Sequence, residues 1–126
     1  MCLHTISKVY DSPDKKVQYG WKVFVIFDGN LQGEIFNQNV VYKYDKWYKA
    51  RGRKILGYTT ALSYPAGFHV FVSRHAALKW ARRMYSRTTR RVKYRKAVAI
   101  GRQKGVVVVA KEICILRPAR KCNRSV

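Results

Sequence analysis

Acidic residues are scarce in this sequence. It has six Asp and Glu residues against 27 Lys and Arg residues, which gives a formal net charge of +21 at pH 7. So few carboxylates provide little for acid–base catalysis, which commonly uses two carboxyl groups in one site. A compact chain with this charge repels itself and attracts polyanions. The composition therefore predicts an anionic partner.

Cysteine is also rare, and long apolar runs are absent. The three cysteines (Cys2, Cys114 and Cys122) and the lack of an apolar signal segment at the N-terminus predict a reducing compartment, the cytoplasm. There is no CxxC or HxxxH pair, so neither a metal nor a cofactor is predicted. No apolar run reaches the ~18 residues of a membrane helix, so no membrane partner is expected.

Hydrophobic residues make up 48% of the chain and aromatic residues 13%, which is typical of a folded domain. We expect one domain over residues 1–116 and a basic flexible tail over residues 117–126. Alternating apolar residues from Val17 to Phe27 predict a strand that ends buried on both faces, and Asp28-Gly29-Asn30 predicts a tight hairpin turn. A turn is also expected at residues 11–14.

The strongest helix pattern follows Ser73, a good N-cap. Apolar residues at 3.6-residue spacing predict one amphipathic helix over about residues 73–85, ended by a polar loop at residues 86–91. Apolar segments on either side of Gly101–Gly105 predict a C-terminal β-hairpin, whose exposed edge would allow either a monomer or a dimer. The predicted fold class is α+β, with a largely antiparallel sheet and one main helix.

Positive charge is concentrated in the second half of the chain. Residues 73–126 contain 17 basic residues and one acidic residue, and eight of the fifteen residues from Arg82 to Lys96 are Lys or Arg. Arginine binds phosphate through two donors, and interleaved aromatic rings can stack on unpaired bases. The pattern predicts a surface for nucleic acid or another partner, whereas Trp21 and Trp80 are assigned to the core. The predicted contact residues are Lys79, Arg82, Arg83, Arg87, Arg90, Arg91, Lys93, Arg95 and Lys96, with Trp47, Tyr48, Arg51 and Arg53 from a second basic segment.

Two residues are candidates for catalysis. Glu112 is the one acid of the C-terminal half, and a single acid among many cations is a candidate catalytic group. It can equally neutralise neighbouring Arg or Lys side chains. His69 lies just before the helix and can be either an active-site group or an ordinary structural residue. The sequence favours a binding protein over an enzyme.

Several segments together resemble a protein family. They are the opening MCL, YGWKVF, GFHVF before an Ala-rich helix, and the closing VVVVAKEICIL. The chain resembles small uncharacterised phage and prophage proteins with an N-terminal Met-Cys-Leu run and a central Gly-Phe-His motif. This resemblance implies a phage context, the host cytoplasm, and a host enzyme or defence complex as partner.

A more distant likeness is to the ADP-ribosyltransferase and RNA 2′-phosphotransferase group. It implies a nucleotide pocket lined by His69 with Tyr42 or Tyr19, and Glu112 as the late acid. Three functions therefore stay open. The first is binding of DNA, RNA or a ribonucleoprotein through the Arg-rich surface, the second is inhibition of a host protein by docking on its acidic surface, and the third is a transferase-like protein that uses His69.

Overall fold

Ten strands and one helix form the described part of this computed structural model, which comprises residue 3 and residues 5–32, 41–50, 54–56, 63–83, 86–103 and 105–118. The predicted α+β class is confirmed, because one short helix accompanies strands that pair antiparallel. The elements are β1 (Thr5–Asp14), β2 (Gln18–Phe27), β3 (Asn30–Gln32), β4 (Val41–Tyr42), β5 (Trp47–Lys49), β6 (Lys54–Leu56), β7 (Ser63–Pro65), β8 (Phe68–Phe71), α1 (Arg74–Ala81), β9 (Arg87–Arg102) and β10 (Val106–Ile115).

The main sheet has the order β1-β9-β10-β8-β2-β3-β4, and β5 also pairs with β10. The long strand β9 changes its neighbour along its length. Residues 87–94 of β9 pair with β2, and residues 97–102 pair with β1. The change occurs around Lys96, whose φ of 59° bends the strand. Because β2 pairs with both β9 and β8, the strands β2, β9, β10 and β8 close into a ring.

Gly20 permits this closure. A Cβ atom at Gly20 would lie 2.5 Å from Val70 Cγ1 and 2.9 Å from the Phe71 carbonyl oxygen. The second contact is to backbone, which cannot move aside as a side-chain end can. β2 can therefore approach β8 this closely only where it has no side chain.

Two cores lie on opposite faces of the sheet. The inner core lies inside the ring, and all four ring strands contribute to it. The helix-side core lies between α1 and the outside of the ring. The inner core contains Phe24, Leu31, Tyr42, Phe68, Val70, Val92, Tyr94, Ala97, Val108, Ala110, Ile113 and Ile115, and the helix-side core contains Leu3, Val23, Phe71, Ala76, Ala77, Ala81, Val98, Ala99, Val107 and Val109.

The C-terminal hairpin and the β2–β3 turn are confirmed. β9 and β10 pair from Arg102 and Val106 down to Val92 and Ile115. Asp28 and Gly29 have φ values of 53° and 78°, the left-handed conformation that this two-residue turn requires. The hairpin edge is not exposed as predicted, since β9 lies between β10 and the strands β1 and β2, and β10 lies between β9 and the strands β8 and β5.

The predicted helix is too long. Ser73 caps it as expected, with its hydroxyl accepting from the Ala76 N–H at 3.4 Å, but the helix ends at Ala81 with Arg82 as its C-cap. The predicted loop at residues 86–91 is also wrong, because Arg87 already begins β9. Pairing with β2 extends β9 through this polar segment by satisfying its backbone hydrogen bonds.

Residues 11–14, where a turn is predicted, belong to β1, and the pairing of β1 with β9 shifts register between Val9 and Asp14. Another local prediction is wrong. The end of β2 is not buried on both faces: Ile26 is 38% and Phe27 65% exposed, whereas Lys22, Val23 and Phe24 are buried. The buried part of β2 is its middle, because that part forms the ring.

Candidate functional site

One row of side chains crosses four strands on the outside of the ring. Trp47 of β5 is paired with Cys114 of β10, Cys114 with Lys93 of β9, and Lys93 with Tyr19 of β2. Side chains of directly paired residues lie on the same side of a sheet. At the usual spacing of neighbouring strands, the row spans about 14 Å from Trp47 to Tyr19. We call this side of β5, β10, β9 and β2 the outer face.

The odd-numbered residues of β9 place their positive charges on this face. Arg91 is paired with Trp21, Lys93 with Tyr19, and Arg95 with Glu112. Strand alternation alone puts these three cations on the same side of the sheet. The outer face therefore combines a line of cations with aromatic residues from the neighbouring strands.

The cations and the aromatic rings of the outer face are in contact. The Arg95 guanidinium carbon lies 4.0 Å from the centroid of the Trp47 ring, and Lys93 Nζ lies 5.5 Å from the same ring. The Arg91 guanidinium carbon lies 5.1 Å from the Tyr19 ring centroid. Cation–π contacts of this kind contribute about 0.5–1 kcal/mol each when exposed. They also hold the rings and the charges side by side.

Helix α1 extends the same arrangement. Arg74 lies over Trp21 at 5.4 Å, and Trp80 has Arg83 at 5.0 Å and Arg87 at 5.9 Å from its ring centroid. Both tryptophans also pack against the helix-side core and are only partly buried. Each therefore has a core contact, as the sequence predicts, and a cation contact that the sequence pattern does not reveal.

Glu112 is the acidic residue of the outer face, and its side chain is 3% exposed. Its Oε1 accepts from Arg95 Nε and its Oε2 pairs with Lys96 Nζ, both at 2.7 Å. The hydrogen bond from Lys96, together with Arg95, lowers the pKa of this carboxyl even though burial acts in the opposite direction. Glu112 thus neutralises neighbouring cations, which is one of the two roles expected of it.

Two predicted contact residues lie on the opposite face of the sheet. Arg90 donates from Nε to the Tyr44 hydroxyl at 3.1 Å and from Nη1 to the Thr89 carbonyl oxygen at 2.9 Å. Tyr48 packs edge-on against Tyr42, with 4.8 Å between ring centroids, next to the inner core. Both side chains have structural contacts, and neither belongs to the outer face.

Five other predicted contact residues lie elsewhere. Lys79, Arg82 and Arg83 are exposed on α1 and just after it. Arg51 and Arg53 lie outside the described residues, as does the predicted tail apart from Arg117 and Pro118. Tyr19 on the outer face and Arg74 on α1 were not among the predicted contact residues. The alternation from Val17 to Phe27 already puts Tyr19 and Trp21 on one face, and only the strand that pairs with them was unknown.

His69 is buried in β8 and is 4% exposed. Burial, together with the positive charge of Lys22, lowers its pKa from 6.5 to about 3, so the imidazole is neutral near pH 7. The backbone carbonyl of His69 accepts from Lys22 Nζ at 3.3 Å, and this buried ammonium also lies 5.7 Å from the ring centroids of Phe24 and Phe68. His69 thus belongs to a packed part of the ring.

The proposed nucleotide pocket has little support in this arrangement. His69, Tyr42 and Glu112 are each at most 5% exposed. A group that reacts with a nucleotide must be able to reach it, and these three side chains are enclosed by protein. Tyr19 is 56% exposed, but it lies on the outer face beside Arg91.

Burial of neutral His69 makes stability depend on pH. Below pH 6.5 the unfolded chain takes up a proton at this residue, whereas the folded chain does not do so until about pH 3. Stability is therefore lost as the pH falls through this window, at up to about 1.4 kcal/mol per pH unit. We expect the free energy of unfolding, measured with urea, to fall by about 2 kcal/mol from this residue between pH 7 and pH 5.

The variant His69→Gln should show a smaller fall over the same pH range, whatever its stability at pH 7. His75→Gln is the matched substitution at an exposed site on α1 and should keep the wild-type fall. Equal pH dependence in the wild type and in His69→Gln would contradict the assignment of this effect to His69.

Some kinds of site are absent from the described residues. No group of three or more His, Cys, Asp or Glu side chains in that part of the chain could hold a metal ion. Cys114 is 3% exposed, and burial raises the pKa of its thiol, so it behaves as a small apolar side chain. Among the described elements, no helix has the length and apolar character needed to cross a membrane.

Comparisons with protein-family models, with curated proteins and with solved structures found no match to this chain. On the outer face, three cations of β9 lie among aromatic rings from β2 and β5.

Proposed function

We propose that this protein binds nucleic acid through the outer face. The observation that carries the proposal is the alternation of Arg91, Lys93 and Arg95 with Tyr19 and Trp47 on one side of the sheet. Cations contact phosphates, and aromatic rings stack on bases in a sequence-tolerant way. A nucleic acid satisfies both kinds of group at once.

The distribution of charge supports the same proposal. A net charge of +21 on 126 residues gives a long-range attraction for any polyanion, and counterion release makes such binding strong at low salt. The outer face includes no helix-turn-helix, zinc-finger or RRM motif. We therefore expect contacts to phosphates and base faces to dominate, with weak sequence preference.

The test is binding of labelled DNA and RNA oligonucleotides at increasing salt, measured by fluorescence anisotropy. We expect the logarithm of the association constant to fall linearly with the logarithm of the salt concentration. The slope should be about −0.7 to −0.9 for each phosphate contact, so three contacts would give roughly −2 to −3.

A weak interaction with every oligonucleotide at physiological salt would contradict this proposal. The same cations would then be available for an acidic protein surface, which is the inhibitor function considered above. In that case one discrete protein should bind, binding should survive nuclease treatment, and reversal of charges on the outer face should abolish it.

A further inference from the structure

We propose that the nucleic acid on the outer face is single-stranded and that Glu112 is a positioning residue, which holds the Arg95 guanidinium against Trp47 as a stacking surface for a base. This inference rests on the proposed function. It specifies that the ligand is single-stranded, and it gives Glu112 a role in binding although a carboxylate by itself repels an anionic ligand.

The Arg95 side chain contacts both the Glu112 carboxylate and the Trp47 ring. Glu112 Oε1 accepts from Arg95 Nε at 2.7 Å, and the guanidinium carbon lies 4.0 Å from the Trp47 ring centroid. A guanidinium at this distance is in contact with the ring and can itself stack on a base. The Arg95 side chain is 37% exposed, so a ligand can reach it.

Glu112 is well placed to position Arg95 and poorly placed to contact a ligand. Its carboxylate is 3% exposed and is held by Arg95 and Lys96, so it presents almost no surface to a ligand. A carboxylate on a face that binds polyanions repels them. It therefore weakens binding unless its effect on the neighbouring cations outweighs the repulsion. The ion pair with this buried carboxylate gives the partly exposed Arg95 side chain one preferred orientation before any ligand arrives.

The spacing of the row favours single strands. Trp47 with Arg95 and Tyr19 with Arg91 form two ring–guanidinium pairs about 14 Å apart, and Lys93 lies between them. In a duplex the bases are stacked on one another and paired, so their faces cannot reach these rings. Unpaired bases can stack on both pairs while Lys93 contacts the phosphates between them.

The experiment compares a single-stranded oligonucleotide with a duplex of the same sequence, using wild type, Glu112→Gln and Asp45→Asn. Asp45→Asn is the matched control, since it also turns an Arg-paired acid into its amide, but at a side chain that is 55% exposed and pairs with Arg117. Wild type should bind the single strand more tightly at equal salt. Glu112→Gln should bind the single strand about tenfold more weakly, although it removes a negative charge, and its duplex binding should not weaken. Asp45→Asn should bind both at least as tightly as wild type.

A second variant keeps the inference testable if Glu112→Gln does not fold. Trp47→Ala should lose the preference for single strands and most of the quenching of tryptophan fluorescence by the bound oligonucleotide, and Trp47→Phe should keep the preference. Equal affinity of wild type for single strands and duplex, or single-strand binding by folded Glu112→Gln as tight as wild type, would overturn the inference and leave the proposed function standing. No binding of any oligonucleotide would overturn both.

Discussion

Reversing the charges of Arg91 and Lys93 to Glu should weaken nucleic-acid binding by at least about 100-fold at low salt. Both residues lie on the outer face, opposite Trp21 and Tyr19. Each charged hydrogen bond to a phosphate contributes roughly 1.5–3 kcal/mol, and the new carboxylates add repulsion. Removing both hydrogen bonds together therefore corresponds to a factor of about 10² or more in affinity.

The matched control is the double variant Lys8→Glu and Arg102→Glu, which changes the net charge of the chain by the same amount. Lys8 and Arg102 are exposed on the β1 side of the sheet, and Arg102 lies about 35 Å along β9 from Arg91. We expect a much smaller loss there, arising from the general field of the protein. The slope against log salt should become shallower in the outer-face variant and change little in the control.

Circular dichroism would first establish that both double variants keep their β-sheet. Equal losses of affinity in the two folded variants would mean that binding follows net charge and that the outer face has no special role. Arg90, which the sequence places among the contact residues, is left unchanged, because its guanidinium holds Tyr44 on the other side of β9.

Phe24→Ala should lower the free energy of unfolding by about 3–5 kcal/mol. The Phe24 side chain is fully buried in the inner core and packs against Tyr42, with 5.6 Å between ring centroids. Its removal leaves a cavity inside a ring whose strands are tied to one another by backbone hydrogen bonds, so the walls cannot collapse to fill it. Domains of this size have total stabilities of roughly 5–15 kcal/mol, so the loss would be a large fraction of the whole.

Phe27→Ala on the same strand is the matched control. Phe27 is 65% exposed, and the same substitution there should cost less than about 1 kcal/mol. Urea unfolding followed by circular dichroism measures both. Similar losses of unfolding free energy at the two positions would contradict the burial of Phe24 inside the ring. The strand pattern alone gives no reason to expect different losses at Phe24 and Phe27.

Several elements follow from local sequence. Ser73 caps a helix because its hydroxyl reaches an N–H of the first turn, and Asp28-Gly29 forms a turn because both residues accept a positive φ. The apolar segments on either side of Gly101–Gly105 predict a hairpin, because the two strands that pair are adjacent in the sequence. The fold class is the consequence of these local patterns and could be predicted from the sequence.

Elements that depend on distant partners could not be predicted in the same way. Arg87–Arg91 is polar and resembles a loop, yet it forms a strand because β2, more than 60 residues earlier, pairs with it. Lys22 is a charged residue in an alternating strand, yet the closing of β2 on β8 buries it at 9% exposure beside the His69 carbonyl. Neither result follows from a local pattern.

The composition by itself determined the strong positive charge, its concentration after residue 73 and therefore the expectation of an anionic partner. Only the tertiary structure decided which cations share a surface. It placed Arg91, Lys93 and Arg95 with Tyr19 and Trp47, and it turned Arg90 and Tyr48 to the opposite side. The physical reason is that alternation assigns residues to the two sides of a strand, whereas the pairing of strands distant in sequence decides which neighbours those sides acquire.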